Sequence, residues 1–131
     1  MKELIFYEKP GCHGNARQKE LLRSHGYHLM VKSIIDEKWT AKKLRPYFGH
    51  KRLEDWFNMN APLVRDNMIN FNELDEESAL DLLIADPILI KRPLIEYNKV
   101  KYSGFDDNVY RELIGIQNNN EDLEQCRQKN G

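Results

Sequence analysis

The sequence predicts an α/β protein in which a parallel pair and an antiparallel pair of strands share one sheet. Three observations lead to this prediction: a strand-helix-strand pattern at the start, a closely spaced strand pair near residues 94–102, and helix signals between them. A crossover helix is the usual connection of parallel strands, whereas a two-residue turn joins antiparallel ones. The length of 131 residues fits a single domain.

The first half of the predicted sheet comes from residues 3–33. Residues 3–7 form a β-type run that Pro10-Gly11 ends, and a helical pattern follows from about Ala16 to His25. Gly26 is a plausible helix stop, after which residues 27–33 alternate as a second strand does. This strand-helix-strand unit favours a parallel pair.

The middle of the chain, about residues 38–87, is predicted to be a helical insertion. Thr40 has the side chain of an N-cap for a helix that runs toward Phe48 and ends at Gly49. Asp75 begins a second helix whose first turn carries acidic residues, as the helix dipole favours. Between these helices, three apolar residues fall on one helical face and predict a core stripe: Leu53, Trp56 and Phe57.

The last part of the predicted domain contains two strands and a helix. Leu94–Tyr97 and Val100–Tyr102 are short β-type runs joined by a two-residue turn, so we expect an antiparallel pair. Asp106 or Asp107 caps a helix that ends near Gly115. The order βαβ, helical block, ββα is that of a thioredoxin-like α/β fold with a mixed four-stranded sheet.

The domain is predicted to span residues 1–115. Residues 116–131 are almost entirely polar, so they are predicted to form a C-terminal tail that buries too little apolar surface to order itself. The tail contains Cys126, to which no role is assigned.

Composition excludes several classes of function. The chain has 20 Lys and Arg against 21 Asp and Glu, so it lacks the basic field of a non-specific nucleic-acid binder. No apolar stretch has the length of a membrane span, and the N-terminus does not read as a signal peptide. Two cysteines at opposite ends of the chain indicate thiols in a reducing compartment, and we expect a cytoplasmic protein. His25 and His28 fall in different elements, so no bound metal is expected.

Cys12 is the candidate reactive residue. It lies in the turn between the first strand and the first helix, where free backbone amides and the helix dipole stabilise a thiolate. Two alternatives remain open. Asn15 and Gln18 have the spacing of a capping box, which would begin the helix at Ala16 and weaken the dipole's effect on the sulfur. Cys12 could also be a buried cysteine that serves as a small apolar residue.

The segment Lys91-Arg92-Pro93 is a second candidate for the site because it directly precedes a strand. A cis bond before Pro93 would turn the backbone sharply, although trans is the commoner isomer of such bonds. Arg92 is either part of such a site or a solvated loop residue.

These motifs resemble the arsenate reductase and Spx (ArsC-like) family over residues 3–115. Two segments carry the resemblance: KPGCHGNARQKELL at 9–22 and ILIKRPLIEYNKVKYSGFD at 88–106. Within the family, the sequence is most similar to the branch of nitrogenase-associated proteins, which implies an association with nitrogen fixation. The resemblance implies a thioredoxin-like fold with a helical insertion.

The resemblance also implies roles for individual residues. Cys12 matches the family's nucleophile, Arg92 the arginine that holds the substrate oxyanion, and Pro93 the cis proline. Arg17 lies one position after the family's next arginine, and Asn15 stands where Spx proteins often have a second cysteine. We take Asn15, Arg17, Arg92 and Pro93 as candidate substrate-binding residues. Glutathione as co-substrate and glutaredoxin as reductant are implied, with no bound cofactor.

Three family arginines are replaced here, by Ala16, Asn58 and Gly104. A thiolate and an arsenate anion repel each other unless guanidinium groups compensate, so arsenate reduction is not expected. The leading hypothesis is a single-cysteine thiol oxidoreductase linked to glutathione or glutaredoxin. The alternative is a non-catalytic module of the Spx type, which binds another protein such as an RNA polymerase subunit and makes no direct nucleic-acid or membrane contact. Asn15 excludes a Cys-x-x-Cys switch in either case.

Overall fold

A four-stranded mixed sheet lies at the centre of the molecule, in a computed structural model that describes residues 2–115. The strands are β1 (Lys2–Glu8), β2 (Tyr27–Ser33), β3 (Leu94–Tyr97) and β4 (Val100–Ser103), in the order β2-β1-β3-β4. β1 and β2 are parallel, and β3 is antiparallel to both β1 and β4. The α/β class and the predicted strand pairings are therefore confirmed. The predicted tail and Cys126 lie outside the described residues.

Five α-helices accompany the sheet within residues 2–115: α1 (His13–Ser24), α2 (Ala41–Leu44), α3 (Pro62–Arg65), α4 (Glu76–Ala85) and α5 (Asp107–Leu113). Single 3₁₀ turns occur at Arg45–Tyr47, Leu53–Trp56, Phe71–Glu73 and Pro87–Leu89. α1 is the crossover between the parallel strands, and α2 to α4 belong to the predicted helical insertion.

α1 begins three residues earlier than the sequence predicts. Its N-cap is Cys12, whose carbonyl accepts the first helical bond, from the amide of Ala16 at 3.1 Å. The Asn15 side chain does not cap the helix: its Oδ1 accepts a bond from the Lys9 amide at 3.1 Å and its Nδ2 donates to Gln18 at 3.0 Å. The predicted start at Ala16 is therefore wrong, because the amide of Lys9, upstream of the helix, binds the side chain that resembles a cap.

The helix that begins after Thr40 is shorter than predicted. The Thr40 hydroxyl caps it as expected, by accepting a bond from the Lys43 amide at 3.2 Å. Pro46 has no amide hydrogen and cannot continue the helical bonds, so the chain tightens into the 3₁₀ turn Arg45–Tyr47.

The predicted helical stripe of Leu53, Trp56 and Phe57 also requires correction. The two aromatic residues are buried as predicted, but the segment is a 3₁₀ turn followed by a bridge between Phe57 and Ile90.

Two further predicted signals are confirmed. Asn98 and Lys99 form the turn of the β3–β4 hairpin, both with positive φ, as hairpin turns of two residues require. Asp106, rather than Asp107, caps α5 by accepting a bond from the Val109 amide at 3.0 Å.

Two hydrophobic cores lie on opposite faces of the sheet. One packs α1 and α5 against the sheet and includes Leu4, Phe6 and Ile95. The other packs the helical insertion against the same sheet and includes Tyr7 and Leu94. Since neighbouring residues of β1 and of β3 point to opposite faces, each strand contributes to both cores. Among the described residues, no helix is long and apolar enough to cross a membrane.

Candidate functional site

The site lies at the edge of the sheet where β1 ends and β3 begins. The register pairs Tyr7 of β1 with Leu94 of β3, so the loop after β1 and the residues before β3 lie side by side. Cys12 is in that loop and Arg92 precedes β3. The antiparallel pairing of two strands that are distant in sequence therefore brings the thiol and the guanidinium together.

Cys12 is a free, half-buried thiol at the N-terminus of α1. Its amide donates to the Lys9 carbonyl at 3.1 Å, which fixes the turn. The helix therefore presents its free amides and the positive end of its dipole to the thiol.

The pKa of the Cys12 thiol is below its ordinary value. Burial raises the pKa, but this effect is outweighed by the Asn15 amide, by the hydrogen bonding and charge of Arg92, and by the Gly14 amide. Each of these groups favours the thiolate over the neutral thiol. Cys12 is consequently a better nucleophile near neutral pH than an ordinary cysteine.

Arg92 faces the sulfur without a carboxylate partner. It is half-buried, and among residues 2–115 no Asp or Glu forms an ion pair with it. Its charge is therefore available both to the Cys12 thiolate and to an anionic substrate. A planar guanidinium suits this role because it can bind a carboxylate or phosphate through two parallel hydrogen bonds.

Pro93 holds the turn that carries Arg92. The Arg92–Pro93 peptide bond is cis, and the buried Pro93 accepts a hydrogen bond at its carbonyl from the Gly104 amide at 2.8 Å. This bond links the start of β3 to the end of β4. The sequence left the cis and trans isomers open, and the structure has the cis isomer that the family resemblance implies.

The remaining predicted substrate-binding residues are placed differently. Asn15 is only 2% exposed and its side chain is used within the protein, so it acts on the thiol through its backbone amide. Arg17 is exposed on α1, and its side chain makes no hydrogen bond or ion pair with any described residue. The structure thus brings Cys12, Arg92, Pro93 and the backbone of Asn15 together, but not the side chain of Arg17.

The positions where the resemblance expects other arginines provide no guanidinium to the site. Asn58 is buried, and its side chain bonds the Ile88 carbonyl at 3.5 Å and the Asn60 amide at 3.1 Å. Ala16 is exposed on α1, and Gly104 has no side chain. Within residues 2–115, no group of three or more His, Cys, Asp or Glu side chains could hold a metal ion.

Sequence reasoning missed two features of this site. The contribution of the Gly14 and Asn15 amides was underestimated because the helix was expected to begin later. The position of Lys91 was also missed: its side chain packs over Gly104 at the end of β4. No local signal in Lys91 or Gly104 indicates this contact, and only the β3–β4 pairing shows that the two residues meet.

Known proteins resemble this chain over most of its length. An uncharacterized 15.7 kDa protein from the draG 3' region of Rhodospirillum rubrum is 41% identical over 127 residues, which cover 96% of this chain and 89% of that protein. The regulatory protein MgsR of Bacillus subtilis (strain 168) is 22% identical over 107 residues, which cover 80% of this chain and 85% of that protein.

The fold is also found among solved structures. An arsenate reductase from Vibrio cholerae superposes with a TM-score of 0.70 at 15% identity, covering 88% of this chain and 98% of that one. This similarity confirms the thioredoxin-like fold of the chain. The sequence model described as the ArsC family matches residues 7–113, which include both Cys12 and Arg92. A match of this extent shows that the chain belongs to the ArsC family.

Proposed function

We propose that the protein is a single-cysteine thiol oxidoreductase that exchanges disulfides with glutathione. The observation that carries the proposal is the pairing of Cys12 with Arg92, because it combines a thiol of lowered pKa with a cation that has no carboxylate partner in residues 2–115. The first property favours attack on sulfur, and the second favours an anionic substrate.

The reaction is a thiol-disulfide exchange in two steps. The Cys12 thiolate attacks one sulfur of oxidised glutathione, so a Cys12–glutathione disulfide forms and one glutathione leaves as its thiolate. A second thiolate, from glutathione or from a glutaredoxin, then attacks the glutathione sulfur of this mixed disulfide and releases Cys12 as the thiolate. Atoms and electrons balance without a bound cofactor.

The test is intact-mass analysis after incubation with oxidised glutathione. We expect the protein to gain the mass of one glutathione and to lose it when glutaredoxin and reduced glutathione are added. Cys12→Ser is expected to abolish the adduct, whereas Cys126→Ser, which removes the chain's other cysteine, is expected to leave it. An adduct that persists in Cys12→Ser and disappears in Cys126→Ser would contradict the proposal.

Arsenate reduction is not part of the proposed function. The buried Asn58 side chain already has protein partners, and neither Ala16 nor Gly104 supplies a cation. An arsenate beside the Cys12 thiolate would therefore be held by few positive charges. Turnover of arsenate with glutathione and glutaredoxin as the reductants would overturn this part of the proposal.

The proposal extends to the compartment and the biological setting of the protein. Because the exchange requires reduced glutathione, we place the protein in the cytoplasm. We further propose that it acts in cells that fix nitrogen, on the basis of its resemblance to the nitrogenase-associated branch. Deletion of the gene is expected to impair growth on dinitrogen but not growth on ammonium.

A second candidate function is that of a protein-binding regulatory module. MgsR, a regulatory protein, and a protein from Bacillus cereus described as the global transcriptional regulator Spx 2 both match most of the chain. A direct binding measurement with a purified RNA polymerase α subunit separates the two functions. The regulatory module would be favoured if Cys12→Ser still bound the α subunit and the native chain formed no mixed disulfide with glutathione.

A further inference from the structure

Lys91, the residue before Arg92, is a second cation at this end of the sheet. Lys91 packs across Gly104: its Cε is 3.1 Å and its Cγ 3.8 Å from the position that a Cβ at residue 104 would occupy. Gly104 has a φ of +77°, which favours glycine, and its lack of a side chain leaves room for the lysine stem. This contact fixes the stem of Lys91 at the end of β4.

The ammonium group of Lys91 has no protein partner. Among residues 2–115 it forms no ion pair and no side-chain hydrogen bond. The neighbouring Lys51 differs, since its Nζ donates to the carbonyl and hydroxyl oxygens of Ser103 and lies 3.5 Å from the Asp106 carboxylate. Asp106 therefore offsets the charge of Lys51, whereas Lys91 and Arg92 are two consecutive cations without a carboxylate.

Cys12, Arg92 and the stem of Lys91 are found at the same end of three neighbouring strands, since Arg92 contacts the Cys12 sulfur and Lys91 contacts Gly104. Cys12 follows β1, Arg92 precedes β3 and Gly104 follows β4, and these three strands are neighbours in the sheet. Because neighbouring strands are spaced by about 4.8 Å, the ends of β1 and β4 are roughly 10 Å apart. Glutathione has its sulfur on the central residue and a carboxylate at each end, so a glutathionyl group at Cys12 carries a carboxylate on either side of the sulfur.

We propose that Lys91 forms a carboxylate subsite that binds a terminal carboxylate of a glutathionyl group whose sulfur lies at Cys12. The proposal rests on the proposed function and specifies the substrate class of that site, a thiol compound with a carboxylate at a distance from its sulfur. Arg92, which contacts the Cys12 sulfur, acts on the thiolate and on the part of the ligand nearest to it. Lys91 is a binding residue and takes no part in the exchange of sulfur bonds.

The first test is equilibrium binding of S-methylglutathione, a thioether that cannot exchange disulfides. We expect its addition to shift the amide resonance of Gly104 in the NMR spectrum of the protein. Lys91→Gln is expected to weaken binding by about threefold, within the range of a solvent-accessible ion pair, and Lys91→Arg to restore it. Lys99→Gln, which removes the same charge at the hairpin turn, is the matched control and should bind as the native chain does.

The second test compares two disulfides in their reaction with Cys12. Lys91→Gln should slow the reaction with oxidised glutathione by about threefold and leave that with uncharged hydroxyethyl disulfide unchanged, because only the former carries carboxylates. Added salt should remove the difference between Lys91→Gln and the native chain.

The outcomes separate this inference from the proposed function. Absence of S-methylglutathione binding, or equal binding to the native chain and to Lys91→Gln, would overturn the subsite. Binding that depends on Lys91, together with no mixed disulfide at Cys12, would overturn the exchange reaction and leave the subsite in place. A mixed disulfide that forms at the same rate with and without Lys91 would support the proposed function and refute the subsite.

Discussion

Arg92 is the residue that most distinguishes Cys12 from an ordinary half-buried thiol. Burial alone would raise the pKa of Cys12, and Arg92 opposes it through both a hydrogen bond and its charge. The backbone amides that also lower the pKa belong to the helix terminus and are present whichever side chains surround it. The side chain at position 92 is therefore the adjustable determinant of thiol reactivity.

The first prediction concerns this effect. Arg92→Gln is expected to raise the pKa of Cys12, so that alkylation by iodoacetamide begins at a higher pH. Because the thiolate is the reacting form, the rate at pH 6.5 should fall more than the rate at pH 10. Arg17→Gln removes an equal charge from the exposed face of α1 and should leave the profile unchanged. If the pH profile of alkylation shifted equally in both variants, the cause would be a general effect of charge and not the local contact of Arg92 with Cys12.

The second prediction distinguishes the role of the Asn15 side chain from that of its backbone amide. Its buried side chain holds the Lys9 amide and Gln18, whereas its backbone amide acts on the Cys12 sulfur. Asn15→Ala is expected to lower the free energy of unfolding by about 1–3 kcal/mol, the cost of leaving a partly buried amide unpaired. Urea denaturation measures this change. Binding of S-methylglutathione by the folded variant should be unaffected, whereas a large loss of affinity would assign the Asn15 side chain to the ligand.

At the scale of single residues, the sequence predicted the chemistry of the site better than it predicted which side chains are in contact. Cys12 could be found because its position in a strand-to-helix turn has an electrostatic consequence that needs no tertiary structure. The position of Arg92 beside it was implied by family resemblance. The contact between Lys91 and Gly104 depends on the pairing of β3 with β4, and no local signal in either residue indicates it.

At the scale of elements, α1 shows why a local signal can mislead. Asn15 and Gln18 have the spacing of a capping box, and their side chains do interact, but Asn15 accepts its bond from Lys9, before the helix. The first turn of α1 is thereby free to begin at His13 and to carry Cys12 as its N-cap. A contact with the first residue of the preceding loop therefore decides where the helix starts.

The third prediction concerns the N-cap of α4. The Asp75 carboxylate accepts a bond from the Ser78 amide at 2.8 Å, and this bond, with that of the Ser78 hydroxyl, lowers the pKa of Asp75. A carboxyl group with a lowered pKa stabilises the fold above its unfolded pKa, and this stabilisation is lost as the pH falls through the folded value. Asp75→Asn should therefore be less stable than the native chain at pH 7, with a difference that shrinks near pH 3.

Denaturant unfolding at the two pH values measures this difference. Asp81→Asn changes an exposed carboxylate later in the same helix and is the control. If Asp81→Asn showed the same dependence on pH as Asp75→Asn, the loss of one negative charge would account for the effect and the capping bond would not.

At the scale of the whole molecule, the sheet couples the helical insertion to the rest of the domain. Tyr7 and Leu94 pack into the core beneath the insertion, while Phe6 and Ile95, their neighbours in the chain, pack into the core beneath α1 and α5. The order of strands and helices could be predicted from hydrophobic periodicity and turn signals. The way in which β1 and β3 contribute to two cores could not be predicted, because it depends on which face of the sheet the insertion covers.

The fourth prediction follows from this shared sheet. Leu83 and Leu22 are fully buried, one in each core, and replacement of either by alanine is expected to cost about 2–5 kcal/mol. Because the strands between the cores are common to both, each variant should still unfold in one cooperative transition. Both tryptophans, Trp39 and Trp56, lie in the core of the insertion, so their fluorescence reports that core while far-UV circular dichroism reports the whole chain.

The two signals should give the same midpoint in the native chain and in both variants. In Leu83→Ala, a tryptophan transition at lower denaturant than the circular dichroism transition would show that the insertion unfolds as an independent unit. Coincident transitions would mean that a perturbation in the insertion also destabilises the edge of the sheet where Cys12 and Arg92 meet. In that case Leu83→Ala, in which both site residues are retained, should lose the fast reaction of Cys12 with oxidised glutathione at the same denaturant concentration at which it loses its fold.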